Sequence, residues 1–175
     1  ANATLKSNQE VYDAFYAYVE PFVVTGHKTE NVYLYRPFAQ LNIATSEGDL
    51  DRVVKYYGLD EITSTKIVVT TPTAMDLTTG NAYDEKELTY TMEAFAALNP
   101  KDDLFPATVD PAIDEDYQAI SLNYLLVSAE KQLVDIKMSC DSGSELDKEF
   151  KNVPVQRNYR TNIYGNLYTS STEWK

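Results

Sequence analysis

Residues 31–45, NVYLYRPFAQLNIAT, decide how the rest of this sequence is interpreted. The apolar positions are even-numbered before Pro37 and odd-numbered after it: Val32 and Leu34, then Ala39, Leu41 and Ile43. Alternation with a period of two predicts a half-buried strand, and a change of parity moves the apolar side chains to the opposite face. Proline removes a hydrogen-bond donor from a sheet, so it belongs at strand starts, edges or bulges. We therefore predict two strands that meet at a bend at Pro37.

The overall composition favours a folded domain and weighs against two kinds of partner. The chain has 175 residues, 43% of them hydrophobic, which suits one domain or one domain and part of a second. Its formal net charge is −12 and no basic patch is present, which argues against nucleic acid. The same charge is unfavourable on anionic lipid. No run approaches the roughly 18 apolar residues of a membrane-spanning helix.

The single cysteine and the single histidine offer little catalytic or metal chemistry. Because Cys140 is the only cysteine, the chain has no internal disulfide and no multi-thiolate metal site. We interpret it as a small apolar residue at a strand end. His27 lies in a predicted turn without a second His, a nearby Cys or a paired acid, and we interpret it as a surface residue.

One segment has the pattern of a helix, at about residues 46–57. Ser46 stands at the N-cap position, with Asp49 where a capping box places its reciprocal acid. Gly58 follows at the position where a left-handed residue closes a helix. The apolar residues Leu50, Val53, Val54 and Tyr57 fall at i, i+3, i+4 and i+7, which predicts one buried face.

Strand patterns occupy most of the remaining chain. Strands are predicted at residues 19–24, 67–71, 88–92, 119–127, 132–139, 150–155 and 159–167, with a polar tail at 1–10 and loops at 72–84 and 99–117. The best hairpin joins residues 119–127 to 132–139. Hairpin-linked strands imply antiparallel sheets, and two packed layers can bury this much apolar surface. The predicted fold is mostly β, an antiparallel β-sandwich with one short α-helix.

The acidic loop at residues 101–116 suggests calcium, but no enzyme motif accompanies it. In an EF-type loop that starts at Asp110, the sixth position requires glycine and holds Glu115 instead, so that pattern fails. Another kind of calcium site stays open. No serine lies in a Gly-x-Ser-x-Gly turn, and nothing singles out a carboxylate pair among 27 acidic residues. We predict no enzyme and assign no catalytic, cofactor-binding or metal-binding residue.

The tyrosines are the stronger functional signal. Seven of the 14 alternate with or flank predicted core positions: Tyr16, Tyr18, Tyr33, Tyr35, Tyr56, Tyr164 and Tyr168. Tyrosines at the rim of a sheet can stack on a sugar or anchor a protein interface. The alternative is that they cover the sheet faces, which suits tyrosine equally well.

Several segments carry a family resemblance. They are YDAFYAYVEPFVVTG at residues 12–26, VYLYRPFAQLNIAT at 32–45, LNYLLVSAEKQLVDIKM at 122–138 and VPVQRNYRTNIYGNLYTSS at 153–171. Together they resemble the fimbrillin-like surface proteins of Bacteroidales, over residues 11–170. The resemblance implies a pilin or pilus-associated protein, made as an outer-membrane lipoprotein and built from transthyretin-like β-sandwich domains.

The resemblance also implies a domain organisation and a mode of assembly. Residues 1–36 would be a tail and the end of a truncated first β-domain, and residues 37–175 the C-terminal sandwich. Subunits of such proteins polymerise by strand donation, in which a segment of one subunit fills a groove in the next. The partners would be other fimbrial subunits or further copies of the chain. A lipid anchor outside these residues would be the link to the membrane.

We therefore predict a non-enzymatic structural or adhesive subunit of the cell surface that assembles through strand contacts. The alternative is a carbohydrate-binding surface module that uses exposed tyrosines, with or without calcium in the loop at residues 101–116. A glycan-processing enzyme is a third interpretation. An open sheet edge or a strand-deep groove would favour the first interpretation, and an aromatic platform on a concave sheet face would favour the second.

Overall fold

The computed structural model describes residues 3–7, 12–92 and 117–170. Within these ranges the chain forms eight strands, one α-helix and a 3-10 helix at Ser144–Leu146. The strands are β1 (Ala3–Lys6), β2 (Phe38–Ser46), β3 (Thr65–Met75), β4 (Ala82–Met92), β5 (Tyr117–Leu126), β6 (Gln132–Cys140), β7 (Lys148–Val155) and β8 (Arg160–Gly165), and the helix is α1 (Glu47–Tyr57). The predicted mostly β fold with one short helix is confirmed.

The strands form two mixed sheets. One has five strands in the order β1-β4-β3-β6-β7, and the other has three in the order β5-β2-β8. β1 runs parallel to β4, and β8 runs parallel to β2. The other four neighbouring pairs are antiparallel. The sheets are therefore mostly antiparallel, with a parallel strand at one edge of each.

The core lies between the two sheets. Its largest fully buried apolar side chains include Leu41 and Ile43 from β2, Ile67 from β3, Leu125 from β5, and Ile136 and Met138 from β6. Alternate residues of each strand face inward, so one face of each sheet contributes to the core. Removal of this apolar surface from water is the main favourable term in folding. Two layers around one core make the architecture a β-sandwich.

β2 is the central strand of the smaller sheet, and both of its faces are buried. Leu41 and Ile43 face the core. On the opposite face, Asn42 donates from Nδ2 to Asn162 Oδ1 over 2.9 Å, and Gln40 donates from Nε2 to Asn42 Oδ1 over 3.2 Å. Hydrogen bonding offsets the cost of burying these amides. The strand predicted after Pro37 is thus confirmed.

The strand predicted before Pro37 is wrong. Residues 31–36 have no regular secondary structure beyond an isolated antiparallel bridge between Tyr16 and Tyr35. Val32 and Leu34 are 51% and 65% exposed. The strand predicted at residues 19–24 is absent as well. Alternation sets the spacing of side chains but supplies no partner strand, and Pro37 instead marks the point where the chain enters the sandwich.

The helix begins and ends as predicted. Ser46 is the N-cap and accepts a hydrogen bond from the N–H of Asp49 over 3.2 Å. Gly58 closes the helix in the left-handed region, with φ of 64°. Val53 is fully buried, but Val54 is 46% exposed, so the buried face is narrower than predicted.

The carboxylate of Asp49 joins α1 to the segment after β8. It is fully buried and accepts hydrogen bonds from the N–H groups of Tyr168 (2.7 Å) and Thr169 (3.1 Å) and from the Thr45 hydroxyl (2.7 Å). Hydrogen bonds to an ionised acceptor are stronger than neutral ones. Asp49 thus stabilises a long-range contact rather than forming the predicted capping box.

The predicted hairpin at residues 119–139 is wrong, although both of its strands exist. β5 pairs with β2 in the three-stranded sheet, whereas β6 pairs with β3 and β7 in the five-stranded sheet. The link at residues 127–131 therefore passes from one sheet to the other. A hairpin and a sheet-to-sheet link both join two half-buried strands, so alternation cannot distinguish them.

Two other boundaries differ from the predictions. Ala3–Lys6 is a strand that pairs with β4, whereas the sequence predicted a polar tail at residues 1–10. β3 and β4 extend into the loop predicted at residues 72–84, which shrinks to a turn around residues 76–80. The predicted loop at residues 99–117 lies outside the described residues, except for Tyr117. The transthyretin-like assignment and the division after residue 36 stay predictions.

Candidate functional site

A long segment between β1 and β2 lies on the outside of the sandwich, and we call residues 17–34 the arm. The Tyr16–Tyr35 bridge closes its base: Tyr35 N–H donates to Tyr16 O over 2.8 Å, and Tyr16 N–H donates to Tyr35 O over 2.9 Å. The two tyrosine rings are 6.0 Å apart between centroids. Every residue of the arm is described, and none lies in a helix or strand.

The arm exposes an unusual number of large apolar side chains. They are Tyr18, Val19, Phe22, Val23, Val24, Val32, Tyr33 and Leu34. The most exposed are Val23 at 83%, Tyr33 at 72% and Val24 at 71%. Single exposed apolar residues are normal on a protein surface, but a contiguous group marks an interaction site. The arm is therefore the main candidate for a protein interface.

Contacts within the arm are few and local. The Lys28 ammonium lies 4.4 Å from the centroid of the Phe22 ring and 3.3 Å from the Glu30 carboxylate. These groups are exposed, so their interactions contribute little to stability. The arm has three charged side chains and one histidine: Glu20, Lys28, Glu30 and His27. Apolar contact rather than charge would thus dominate the binding of a partner to the arm.

A cavity of about 430 Å³ lies at the base of the arm. One wall comes from the residues that flank the arm, Tyr16 before it and Tyr35 after it, together with Leu34 at its end. The other wall comes from the β3–β4 turn at Thr79 and the β7–β8 turn at Arg157 and Asn158. We call this space the base cavity. Segments that are far apart in sequence form it together.

An arginine–carboxylate pair lies beside the base cavity. Arg36 lines the cavity, and its Nη2 donates to Asp13 Oδ2 over 2.9 Å. The Arg36 guanidinium also lies 4.9 Å from the centroid of the Phe15 ring. Within the described part of the chain, Arg36 Nε and Asp13 Oδ1 are buried and have no hydrogen-bond partner. This pair therefore retains one donor and one acceptor, each of which is costly to leave unpaired.

A second arginine enters the cavity without a carboxylate partner. Arg157 donates from Nε to Val127 O over 2.8 Å and from Nη2 to Gly80 O. Nη2 also donates to the Met75 sulfur over 3.6 Å, so every acceptor of Arg157 is uncharged. No carboxylate of residues 3–7, 12–92 or 117–170 pairs with Arg157. Because arginine stays protonated in proteins, the cavity wall carries an uncompensated positive charge.

Gly80 brings the arm and the sandwich into close contact. Its φ of 72° lies in the left-handed region, where side chains are rarely tolerated. A Cβ atom at this position would lie 2.7 Å from the Tyr16 hydroxyl. Glycine therefore allows Tyr16 to lie directly against the β3–β4 turn, which fixes the shape of the base cavity.

The structure separates the seven tyrosines that the sequence grouped. Tyr16, Tyr18, Tyr33 and Tyr35 belong to the arm or its base. The others are dispersed: Tyr56 is 81% exposed on α1, Tyr164 packs edge-on against Tyr117 with centroids 5.7 Å apart, and Tyr168 is buried. Burial raises the pKa of Tyr168, whose hydroxyl pairs with the Thr65 hydroxyl over 2.9 Å. These tyrosines therefore do not form a single platform on a sheet face.

The remaining candidate residues add no metal or thiol site. His27 lies exposed in the arm. Cys140 is half-buried at the margin of the core, and this burial raises the pKa of its thiol. In the described ranges no three His, Cys, Asp or Glu side chains are grouped to hold a metal ion. The loop at residues 101–116, where calcium was considered, lies outside them.

Sequence reasoning missed the charged residues of the base cavity. Asp13, Arg36 and Arg157 are isolated charges in the sequence, with no shared spacing or motif. Arg36 precedes Pro37 in the segment at residues 31–45, and Arg157 lies in the segment at residues 153–171 that resembles fimbrillin-like proteins. No local signal indicated that the fold would bring Arg36 and Arg157 to one cavity, with Asp13 paired to Arg36 beside it.

The fold and the site define a two-sheet, mostly β module with an exposed apolar arm. The chain belongs to a family of unknown function (DUF6562), whose model matches residues 1–175. A comparison of the chain with the curated proteins and with the solved structures found no match. The resemblance to fimbrillin-like proteins thus stays a prediction. No helix in the described residues is long and apolar enough to cross a membrane.

Proposed function

We propose that this protein is a structural or adhesive subunit of the cell surface that assembles with further copies of itself through the arm. The observation that carries the proposal is the exposed apolar surface of residues 17–34, with Val23 83% and Val24 71% exposed. A partner that covers this surface removes it from water, which lowers the free energy of the complex.

The pattern of the arm favours a strand-like contact. Residues 32–35 alternate apolar and tyrosine side chains, as a half-buried strand does, yet they lie in no sheet. A segment of this kind can add to the open edge of a sheet, where main-chain hydrogen bonds supply affinity and alternate side chains set the register. The proposed partner is therefore a sheet edge.

A second copy of the chain offers such an edge at β8. β8 ends the order of the three-stranded sheet, and no strand in the described residues pairs with its outer side. The corresponding edge of the other sheet, β7, carries Lys148, Lys151 and Pro154, which are residue types that discourage edge pairing. β8 contains a single charged residue, Arg160, and is the better acceptor.

The test is the mass of the protein in solution as a function of its concentration. Light scattering and native mass spectrometry should show larger species for the wild type and monomers for Val23→Asp/Val24→Asp, because aspartate cannot be buried without a partner. Val54→Asp is the control, because Val54 is an exposed apolar residue outside the arm, on α1. Valine and aspartate have similar helix propensities, so this substitution should leave the helix intact.

Hydrogen exchange then tests the mode of contact. Assembly should slow amide exchange in residues 17–34 and in Arg160–Gly165, because both acquire main-chain hydrogen bonds. A wild type that stays monomeric at every concentration would refute self-assembly. Assembly without protection of β8 would refute this acceptor, and equal behaviour of the arm variant and the Val54 control would refute the role of the arm.

A further inference from the structure

We propose that the base cavity binds a saccharide that carries a carboxylate group. This binding site is distinct from the assembly surface proposed for the arm, because Leu34 is the one residue of the arm that lines the cavity. Its volume of about 430 Å³ lies in the range of small-molecule sites in proteins. Three features of its wall select the ligand.

The first feature selects a hydroxyl group. Asn158 and Thr79 line the cavity from the side of the sandwich. An amide group and a hydroxyl group can each donate and accept hydrogen bonds. A ligand hydroxyl group also does both, so it can pair with either side chain.

The second feature selects a carboxylate. The Arg157 guanidinium is held on the cavity wall by two carbonyl oxygens, Val127 O and Gly80 O. Its Nη1 makes no hydrogen bond within the described part of the chain. The guanidinium fork matches the geometry of a carboxylate, and the bond between them is charge-assisted. The protein has a net charge of −12, so this positive group is a local exception that favours an anion.

The third feature selects a ring with an apolar face. Tyr16 and Tyr35 line the cavity, and Tyr35 is 58% exposed. An aromatic face packs against the C–H groups of a pyranose ring while the hydroxyl groups at its edge stay available. A hydroxyl-bearing ring with a carboxylate describes a sugar acid. A simple anion would use Arg157 and leave the other two features unused.

The experiment compares two sugars that differ at one carbon. The full chain, labelled with ¹⁵N, is titrated with D-glucuronic acid and with D-glucose, and amide shifts are followed in the segments that line the cavity. Glucuronic acid should bind about tenfold more tightly than glucose, because it adds a charge-assisted hydrogen bond to Arg157. Acetate serves as the probe for simple anion binding.

Variants separate the contributions of the wall. Arg157→Gln should reduce the affinity for glucuronic acid to that for glucose, whereas Tyr35→Ala should weaken both sugars. Lys55→Gln, which removes a positive charge at an exposed position of α1, is the control and should change neither. Because Arg157 also holds two loops, the amide spectrum of Arg157→Gln establishes whether it is folded. If it is not, Tyr35→Ala carries the test.

Three results would overturn the proposal. They are the absence of shifts in the cavity segments at about 10 mM glucuronic acid, equal affinities for the two sugars, and binding of acetate as tight as that of glucuronic acid. The last result would define a simple anion site. None of them bears on assembly through the arm, which the mass measurement tests separately.

Discussion

At the scale of single residues, a buried carboxylate connects parts of the chain that are far apart in sequence. Asp49 lies at the start of α1, and its hydrogen-bond donors Tyr168 and Thr169 follow β8. A buried carboxylate is unfavourable unless it is hydrogen-bonded, and here several donors surround it. Asp49 therefore stabilises the position of the last described segment against the helix.

Replacing Asp49 should destabilise the protein strongly. In Asp49→Ala the buried N–H groups of Tyr168 and Thr169 lose their acceptor, so we expect the free energy of unfolding to fall by about 3 kcal/mol. Urea denaturation followed by circular dichroism measures the change. Asp51→Ala is the matched control on the same helix, because the Asp51 side chain is 68% exposed, and it should have little effect. Similar losses in the two variants would contradict this role for Asp49.

At the scale of elements, the arm differs from every strand that surrounds it. The strands are held by main-chain ladders, whereas the arm is held at its base by the two hydrogen bonds of the Tyr16–Tyr35 bridge. Segments with few main-chain hydrogen bonds and few buried contacts open locally at low cost in free energy. The arm should therefore be the first described element to open, and its opening need not disturb the sandwich.

Limited proteolysis tests this difference. Among the lysines and arginines of the described residues, Lys28 should be cleaved first by trypsin, because a protease requires an open segment and the arm supplies one. Mass spectrometry of the first fragments identifies the site, and Lys28→Gln should remove that cleavage. Assembled protein should be cleaved more slowly than monomer. Initial cleavage at Lys131, in the short link between β5 and β6, would contradict the expectation.

At the scale of the whole molecule, stability depends on the contact between the two sheets. Tyr90 of β4 crosses this contact: its hydroxyl donates to Tyr124 O of β5 over 3.4 Å, and its side chain is buried. Burial, with a smaller contribution from Tyr12, raises the pKa of Tyr90 to about 12. Ionisation of Tyr90 is therefore coupled to separation of the sheets.

This coupling predicts a loss of stability at alkaline pH. Between pH 10 and about 12, the Tyr90 hydroxyl is ionised in the unfolded chain but protonated in the folded one. The unfolded state then binds fewer protons, so the free energy of unfolding falls as the pH rises through this window. Tyr90→Phe should reduce the fall, as measured by urea denaturation at about pH 9 and about pH 11.5. Tyr56→Phe, at an exposed position, should behave as the wild type, and a Tyr90→Phe variant with the wild-type slope would contradict the coupling.

The local features of this protein follow from short-range patterns in its sequence. Ser46 and Gly58 mark the ends of α1 because an N-cap hydrogen bond and a left-handed C-terminal residue depend on groups a few residues apart. Alternation correctly indicated the strands after Pro37, because burial of one face imposes a period of two wherever a strand packs on a core. The mostly β class follows from the number of such patterns.

Strand pairing and the location of the candidate functional surfaces depend on the tertiary structure. Alternation at residues 32–35 is the same whether the partner strand exists or not, and in the described chain it does not, so the segment became an exposed arm instead of a strand. Arg36 and Arg157 both line the base cavity, although one precedes β2 and the other lies between β7 and β8. Strand pairing and cavity formation depend on contacts between residues that are distant along the chain. A local sequence pattern does not specify these contacts.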